Sequence, residues 1–338
     1  MLIVSSIVLA YFTYIFIEKK FKKITYQSSV ILFVSNVALL LLGITSYELN
    51  LKPRNSQSGI ESIVNATNEG VSKRDLMPIK FESQVFYTKM AGNEKVVMYG
   101  DSHMEQYIPR VVKLLDDHQQ GSKTAVFVTK PGCPPMPDVY SQVALDFGEC
   151  VKFREESLNY ILSDDIQSVV VTACWNCYFI EGLDYKDLYY LNADNKVYFN
   201  EVGGADLGLK SLENFLLHLS AHKKVYLLLD NPAGESFNPK NYWSGSRINE
   251  IQVKFPTTKI KLDDKQNQLR YKLLEIAHRT NVIAIDPIAE LCKNDECLFL
   301  LENNVPIYKD NNHLRPSYIK TAIDYLDVAI ISDSIPAK

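Results

Sequence analysis

Three residues set far apart in this chain, Ser102, Asp310 and His313, are of the types that together do nucleophilic chemistry. A serine hydroxyl is a weak nucleophile until a base takes its proton. A histidine takes it when a carboxylate fixes the ring's tautomer and leaves the far nitrogen free. Asp310 stands three residues before His313 in Asp310-Asn311-Asn312-His313-Leu314, a spacing that lets the carboxylate meet the ring. Ser102 ends the stretch Val96-Val97-Met98-Tyr99-Gly100-Asp101-Ser102, where an apolar run with strand character stops and a helix-compatible segment, Met104 to His118, follows. Strand, tight turn and helix lift the hydroxyl to the mouth of a parallel sheet, beside the first free N–H groups of the helix. The implied chemistry is acyl transfer through serine. Its oxyanion needs donors, and the candidates are the N–H groups of Ser102 and Gly132 and the side-chain amide of Asn176.

Each of these residues also has a plainer reading. Ser102 would cap the helix that follows it, His313 would be a loop histidine, and Gly132 would serve a tight turn. Asp101 reads as a turn residue rather than an acid. His103 follows the nucleophile, but helix geometry is expected to point it elsewhere. His118, His218, His222 and His278 fall in helical patterns and read as surface or packing residues.

The elements that must position these groups alternate. Short apolar runs at Val96–Tyr99, Ala125–Thr129, Ser168–Ala173, Val225–Leu229 and Val282–Ile285 read as strands. Helical patterns lie between and after them, at Met104–His118, Cys150–Leu162, Leu207–His222, Leu262–Thr280 and Ser317–Ile331. Such alternation predicts an α/β fold with a parallel sheet covered on both faces, and unbroken runs such as Val169-Val170-Val171 suit strands buried on both sides. Ligands on these sheets bind at the carboxyl ends of the strands. Ser102 follows the first strand, Gly132 the second, and Trp175-Asn176 the third, so all three fall on one edge. The irregular stretch Asp230–Phe255, with Pro232, Gly234, Pro239, Tyr242, Trp243 and Gly245, is expected to pass over that edge, its aromatics either packing locally or stacking on a sugar.

With 338 residues the chain has room for one large domain or two ordinary ones, and a net charge of −4 does not suggest a nucleic-acid surface. The six cysteines form three close pairs, Cys133/Cys150, Cys174/Cys177 and Cys292/Cys297, a distribution that fits disulfides in an oxidising compartment; six buried thiols are the alternative. Metal binding is not expected, because Cys174-x-x-Cys177 lacks a second ligand pair nearby. Met1–Ile17 is almost wholly apolar, Glu18-Lys19-Lys20-Phe21-Lys22-Lys23 follows, and a second apolar stretch covers Ser29–Tyr47. The charges lie after the first run rather than before it, which argues for a two-helix membrane hairpin over a secretory signal. The lysines mark the connecting loop as cytoplasmic, which places everything after Tyr47 outside the cytoplasm. The polar stretch from Glu48 to Gln84, with Pro53, Asn55, Ser56, Ser58 and Gly59, reads as a linker with a short helix near Ile60–Ala66. This divides the chain into a membrane hairpin (1–47), a linker (48–84) and a catalytic domain (85–338).

Gly100-Asp101-Ser102-His103 and Asp310-x-x-His313 resemble the first and last blocks of the SGNH (GDSL-like) hydrolase superfamily. More narrowly, Gly132-Cys133-Pro134-Pro135, the later Cys150, Trp175, and Cys292…Cys297 ahead of Tyr308-Lys309-Asp310 resemble the extracytoplasmic SGNH domain fused to membrane acyltransferase-3 proteins. Tyr14-Ile15-Phe16-Ile17-Glu18-Lys19-Lys20-Phe21 resembles a loop near the end of the acyltransferase-3 membrane domain. The third SGNH block, Gly-x-Asn-Asp, reads Ala173-Cys174-Trp175-Asn176 here, a departure that bears on Asn176. The resemblance implies a flavodoxin-like three-layer fold preceded by two transmembrane helices. It also implies O-acylation of a bacterial surface polysaccharide such as lipopolysaccharide O-antigen, with an acetyl group derived from acetyl-CoA. The partners would be the bilayer of the inner membrane, a glycan acceptor on its periplasmic side, and an acyltransferase-3 protein carrying the membrane helices not present in this chain. A carbohydrate esterase of the same superfamily and a non-catalytic glycan-positioning domain are the rival readings.

Overall fold

The computed structural model describes residues 2–19, 25–48, 60–118, 121–141, 147–180, 188–192, 195–244, 252–255 and 258–331. The loop residues Lys20, Phe21, Lys22 and Lys23, the linker residues Pro53, Asn55, Ser56, Ser58 and Gly59, and Gly245 lie outside them. The chain divides into two units, Met1–Ser56 and Gln57–Lys338.

The first unit is helical. α1 (Leu2–Thr13) runs on through one π-helical turn at Tyr14–Glu18, short of the ~20 residues that cross a bilayer. α2 (Tyr26–Glu48) has 23 residues, a mean hydropathy of 2.1 over its most apolar window and no buried residue. Among the described residues it alone is long and apolar enough to span a membrane. Leu39, Leu40, Leu41 and Leu42 all stand exposed on it. Four large apolar side chains in a row are what lipid solvates and water does not.

The second unit is built on a seven-stranded sheet. Its strands are β1 (Met77–Phe81), β2 (Gln84–Lys89), β3 (Lys95–Gly100), β4 (Thr124–Thr129), β5 (Ser168–Thr172), β6 (Lys224–Leu228) and β7 (Ile283–Ile285). The spatial order is β1-β2-β4-β3-β5-β6-β7. β4, β3, β5, β6 and β7 are parallel, and β1–β2 adds an antiparallel hairpin beside β4. Counted from β3, the parallel strands take the flavodoxin-like order 2-1-3-4-5, in which the switch point falls between the first and third strands, here β3 and β5.

The helices of this unit are α3 (Ile60–Asn68), α4 (Ser102–Glu105), α5 (Ile108–Asp117), α6 (Phe147–Leu162), α7 (Trp175–Phe179), α8 (Gly204–Ser220), α9 (Asp264–Arg279), α10 (Pro287–Leu291), α11 (Pro316–Ala322) and α12 (Asp327–Ile330). Strand alternation sends Val97, Tyr99, Val169 and Val171 into one core layer with α6, α8 and α9. Val96, Met98, Val170 and Tyr226 enter the other, with α5, α11 and α12. Burial on both faces explains why the strand runs are continuous rather than alternating.

Two expected helices break. Met104–His118 divides into α4 and α5, with Pro109 in the first turn of α5, a position that needs no backbone N–H donor. Ser317–Ile331 divides into α11 and α12, because Ile323 takes extended backbone as it enters the core. The expected linker is also corrected. α3 buries Ile60, Ile63 and Ala66, and β1 with the start of β2 belongs to the main sheet. Within the excursion Asp230–Phe255, Phe237 packs 4.8 Å from Tyr308 and Tyr242 packs 5.1 Å from Phe299, while Trp243 is 43% exposed. All three expected disulfides are present: Cys133–Cys150, Cys174–Cys177 and Cys292–Cys297.

Glu69, just after α3, reaches across the domain. It accepts from Arg315 Nε at 3.0 Å and from Ser317 N at 3.0 Å, two and four residues beyond His313. Burial opposes ionisation of Glu69, but the Arg315 and Ser317 bonds prevail and hold its carboxyl below the usual range. Replacing Glu69 by alanine leaves Arg315 without its carboxylate. The expected loss is about 1–3 kcal/mol of unfolding free energy, measured by denaturant titration of the full chain in detergent. Because the folded value is depressed, this stability is present above the unfolded value and is lost as pH falls through the folded one, so wild type and Glu69→Ala should converge in acid.

Candidate active site

The nucleophile's turn is fixed by a close approach of two strands. Gly100 pairs with Thr129 of β4 on one side and Thr172 of β5 on the other. A Cβ on Gly100 would stand 2.0 Å from the Thr172 carbonyl oxygen, so only glycine fits. Asp101 then caps α4. Its Oδ1 accepts from His103 N at 2.8 Å, and its Oδ2 accepts from Cys174 N at 3.0 Å and from Tyr178 Oη at 2.6 Å. Asp101 is therefore a turn residue whose carboxylate also binds the next strand end. Ser102, between buried Asp101 and buried His103, is half-buried and reachable.

The loop after Ile307 supplies the base. His313 Nε2 lies 2.9 Å from Ser102 Oγ. His313 Nδ1 lies 3.0 Å from Asp310 Oδ2, and Asp310 Oδ1 accepts the backbone N–H groups of His313 at 2.7 Å and Asn312 at 3.0 Å. One carboxylate thus orients both the ring and the backbone beneath it. This assigns the proton to Nδ1 and leaves Nε2 to accept from the serine. Burial resists the Asp310 charge, but the bonds and charge of His313 and the two N–H donors hold its carboxyl down, to about 2. His313 is pushed below its ordinary value by burial first and by the nearby His103 and Lys309, against the pull of Asp310. At neutral pH the ring is a free base.

Gly132 lies at the same edge. Lys130 N donates to Gly100 O at 3.1 Å, and Cys133 N donates to Lys130 O at 3.1 Å. With Pro131 second and Gly132 third at φ 74°, this is a type II turn, where a side chain would be strained. The Cys133–Cys150 disulfide ties the turn to the start of α6.

Asn176 does not fit the donor role set for it. Its Nδ2 donates to Asn231 O at 3.1 Å and to Gln266 Oε1 at 3.2 Å, so both amide hydrogens are spent. Its backbone N donates to Asp230 Oδ2 at 2.9 Å. Trp175 is equally committed, donating from Nε1 to Leu228 O at 3.0 Å.

Sequence reasoning missed a group of buried polar residues. Asp230 Oδ1 lies 2.7 Å from His103 Nδ1, and the His103 ring centre is 4.6 Å from that of His313, so the ring does not point away from the site. Asn231 Nδ2 donates to Asn312 O at 2.9 Å, and Gln106 Oε1 accepts from Leu314 N at 2.9 Å. A usable signal existed. Asp230-Asn231 follow the fourth parallel strand, and the strand-end rule that selected Ser102, Gly132 and Asn176 selects them too.

A serine–histidine–aspartate constellation at the switch point of a flavodoxin-like sheet defines an α/β protein of the SGNH class. The model of the SGNH domain family, fused to AT3 domains, matches residues 72–326, and the chain belongs to that family. Among solved structures, the periplasmic domain of a lipopolysaccharide acetyltransferase from Salmonella ser. Paratyphi A is 14% identical, with a TM-score of 0.52, covering 71% of this chain and 84% of that one. An acetyl xylan esterase is also 14% identical, with a TM-score of 0.41, covering 70% of this chain and 98% of that one. The first of these likenesses concerns the fold. No curated protein matches.

The depressed His313 value sets the pH dependence. Ester cleavage by the full chain should show a kcat/KM that falls only as pH drops below the ordinary histidine value of ~6.5 and is flat above it. Asp310→Asn should lower the plateau by roughly 10²–10⁴-fold, since the ring loses its orienting carboxylate. A pH–rate profile of both proteins checks this.

Proposed function

We propose that this chain is a membrane-anchored O-acyltransferase module that transfers an acyl group, acetyl in our reading, to a hydroxyl of a bacterial cell-surface polysaccharide such as lipopolysaccharide O-antigen. The observation that carries the reading is the unbroken line from Asp310 through His313 to Ser102 Oγ at hydrogen-bond distances. In the first step Ser102 Oγ attacks the acyl carbonyl while His313 Nε2 takes its proton. The oxyanion draws on the N–H groups of Ser102 and Gly132. Collapse expels the donor's leaving group, which receives the proton from His313, and an acyl ester remains on Ser102. In the second step His313 takes the proton of a sugar hydroxyl, whose oxygen attacks the ester. The freed Ser102 oxygen then recovers the proton. A groove of about 550 Å³ between Ala233–Phe237 and Ile260–Gln266 would receive the acceptor. It borders the base's loop, where Gly234 N donates to Asn311 O at 2.7 Å.

In this reading α2, with Met1–Ile17 as a second span, holds the chain in the inner membrane, and the SGNH domain faces the periplasm. The acyl group comes from acetyl-CoA through an acyltransferase-3 membrane domain. The family match to SGNH domains fused to AT3 domains, the exposed apolar α2 and the disulfides support the placement. The net charge of −4 gives no support for nucleic acid as a partner.

The test is intact-mass analysis of the full chain in detergent after exposure to 4-nitrophenyl acetate, with and without an oligosaccharide acceptor. One acetyl adduct should appear on wild type and none on Ser102→Ala, whose ester turnover should fall at least ~10³-fold. Acetyl should pass to sugar faster than to water. Release to water alone would make the protein an esterase, and an unchanged Ser102→Ala would leave only a glycan-positioning domain.

A further inference from the structure

Beside the Ser102–His313–Asp310 line lies a second histidine–carboxylate pair. The His103 ring is buried, with Nδ1 2.7 Å from Oδ1 of Asp230, itself 5% exposed. The other Asp230 oxygen is held by Asn176 N at 2.9 Å. The ring of His103 faces that of His313 at 4.6 Å between centres, with planes inclined by 46°. A ring nitrogen of His103 lies within 4.8 Å of both sulfurs of the Cys174–Cys177 disulfide. Among the described residues, His103 Nε2 is buried and has no hydrogen-bond partner.

This arrangement is expensive as packing. An unpaired buried polar atom costs about 1–3 kcal/mol, and a buried charge pair is often no better than an apolar pair of the same shape. A phenylalanine could fill the same space between α4 and the base's loop. Polar groups held against packing preference cluster where electrostatics are used.

We propose that His103 and Asp230 form a positioning pair that backs the His313 ring and keeps its Nε2 free to take the proton of Ser102. The inference rests on the reading of His313 as the base. His103, on α4, meets Asp230 from the end of β6, Asp101 from the β3–α4 turn and Asp310 from the base's loop; α7 contributes the uncharged Cys174–Cys177 disulfide and Asn176. His313 meets Asp310 and Lys309 from its own loop, and Ser102 and His103 from α4. Burial works against a charge on His103, but Asp230, Asp101 and Asp310 together outweigh it and raise its value. A cation held there opposes a second proton on His313, against the pull of Asp310. The two rings titrate as a coupled pair, with His103 charged first.

The test is a histidine-selective NMR titration of the full chain in detergent, on a Ser102→Ala background so that no turnover intervenes, comparing His103→Phe and Asp230→Asn with the parent. His103→Phe removes the cation beside His313, and Asp230→Asn removes the largest of the charges that hold the proton on His103, so the His313 midpoint should rise in both, by roughly one pH unit in His103→Phe. On the Ser102 background the acid limb of kcat/KM should move up by the same amount. A His313 midpoint unmoved in both variants would overturn the proposal and leave His103 a packing residue. If His103→Phe fails to fold, Asp230→Asn and the parent still decide. A His103 resonance in the parent that stays neutral through the titration of His313 would overturn the proposal as well. The titration needs no substrate. A moved midpoint with no acyl-enzyme on the parent Ser102 chain would therefore fault the base reading, and an acyl-enzyme with an unmoved midpoint would fault this inference alone.

Discussion

The carboxylate of Asp101 is the constraint on which the site depends. It is buried, it caps α4 through His103 N, and it takes two further donors, Cys174 N at the start of α7 and Tyr178 Oη within it. One side chain therefore joins the ends of β3 and β5, the two strands on either side of the switch point. A buried carboxylate left short of donors would be costly, so its three bonds hold the turn in one conformation. Gly100 permits that closeness by presenting no Cβ to the Thr172 carbonyl. The serine hydroxyl inherits its position from these two facts rather than from anything about serine.

The opposite wall is made by polar side chains that satisfy one another. Asn231 ties the end of β6 to Gln106 and to the base's loop, and Gln266 on α9 both donates to and accepts from the backbone of Ala233. Such a network rigidifies a site only if its members are satisfied. Here the exceptions lie close to the base. His103 Nε2 and Asn312 Oδ1 are buried atoms with no partner among the described residues. Tyr308 Oη, five residues before His313, is a third such atom.

The N-terminal unit obeys a different solvent. Its α2 carries exposed leucines along its length and has no buried residue among those described. In the second unit the large apolar side chains enter two layers on either side of one sheet. A chain that hides apolar surface so thoroughly in one unit and displays it in the other is suited to two environments.

Much of this was legible in the amino-acid order because it is local. Gly-Asp-Ser after an apolar run, Asp-x-x-His, the apolar pattern within each strand or helix and the cysteine pairs Cys174/Cys177 and Cys292/Cys297 each depend on residues within a turn or two of one another. Backbone sterics and side-chain reach act at that range. The break at Pro109 and the membership of β1 in the sheet were less visible: the first was hidden by a strong helical pattern, the second by a polar segment whose partner strand had to exist first. What only the tertiary structure decided was the fate of the polar side chains. Asn176 has the chemistry of an oxyanion donor, but its hydrogens are spent on Asn231 and Gln266. His103 looked incidental, yet it meets a carboxylate 127 residues away. Residue type and spacing determine what a side chain can donate or accept; which groups reach it is settled only when distant strand ends converge on one edge of the sheet.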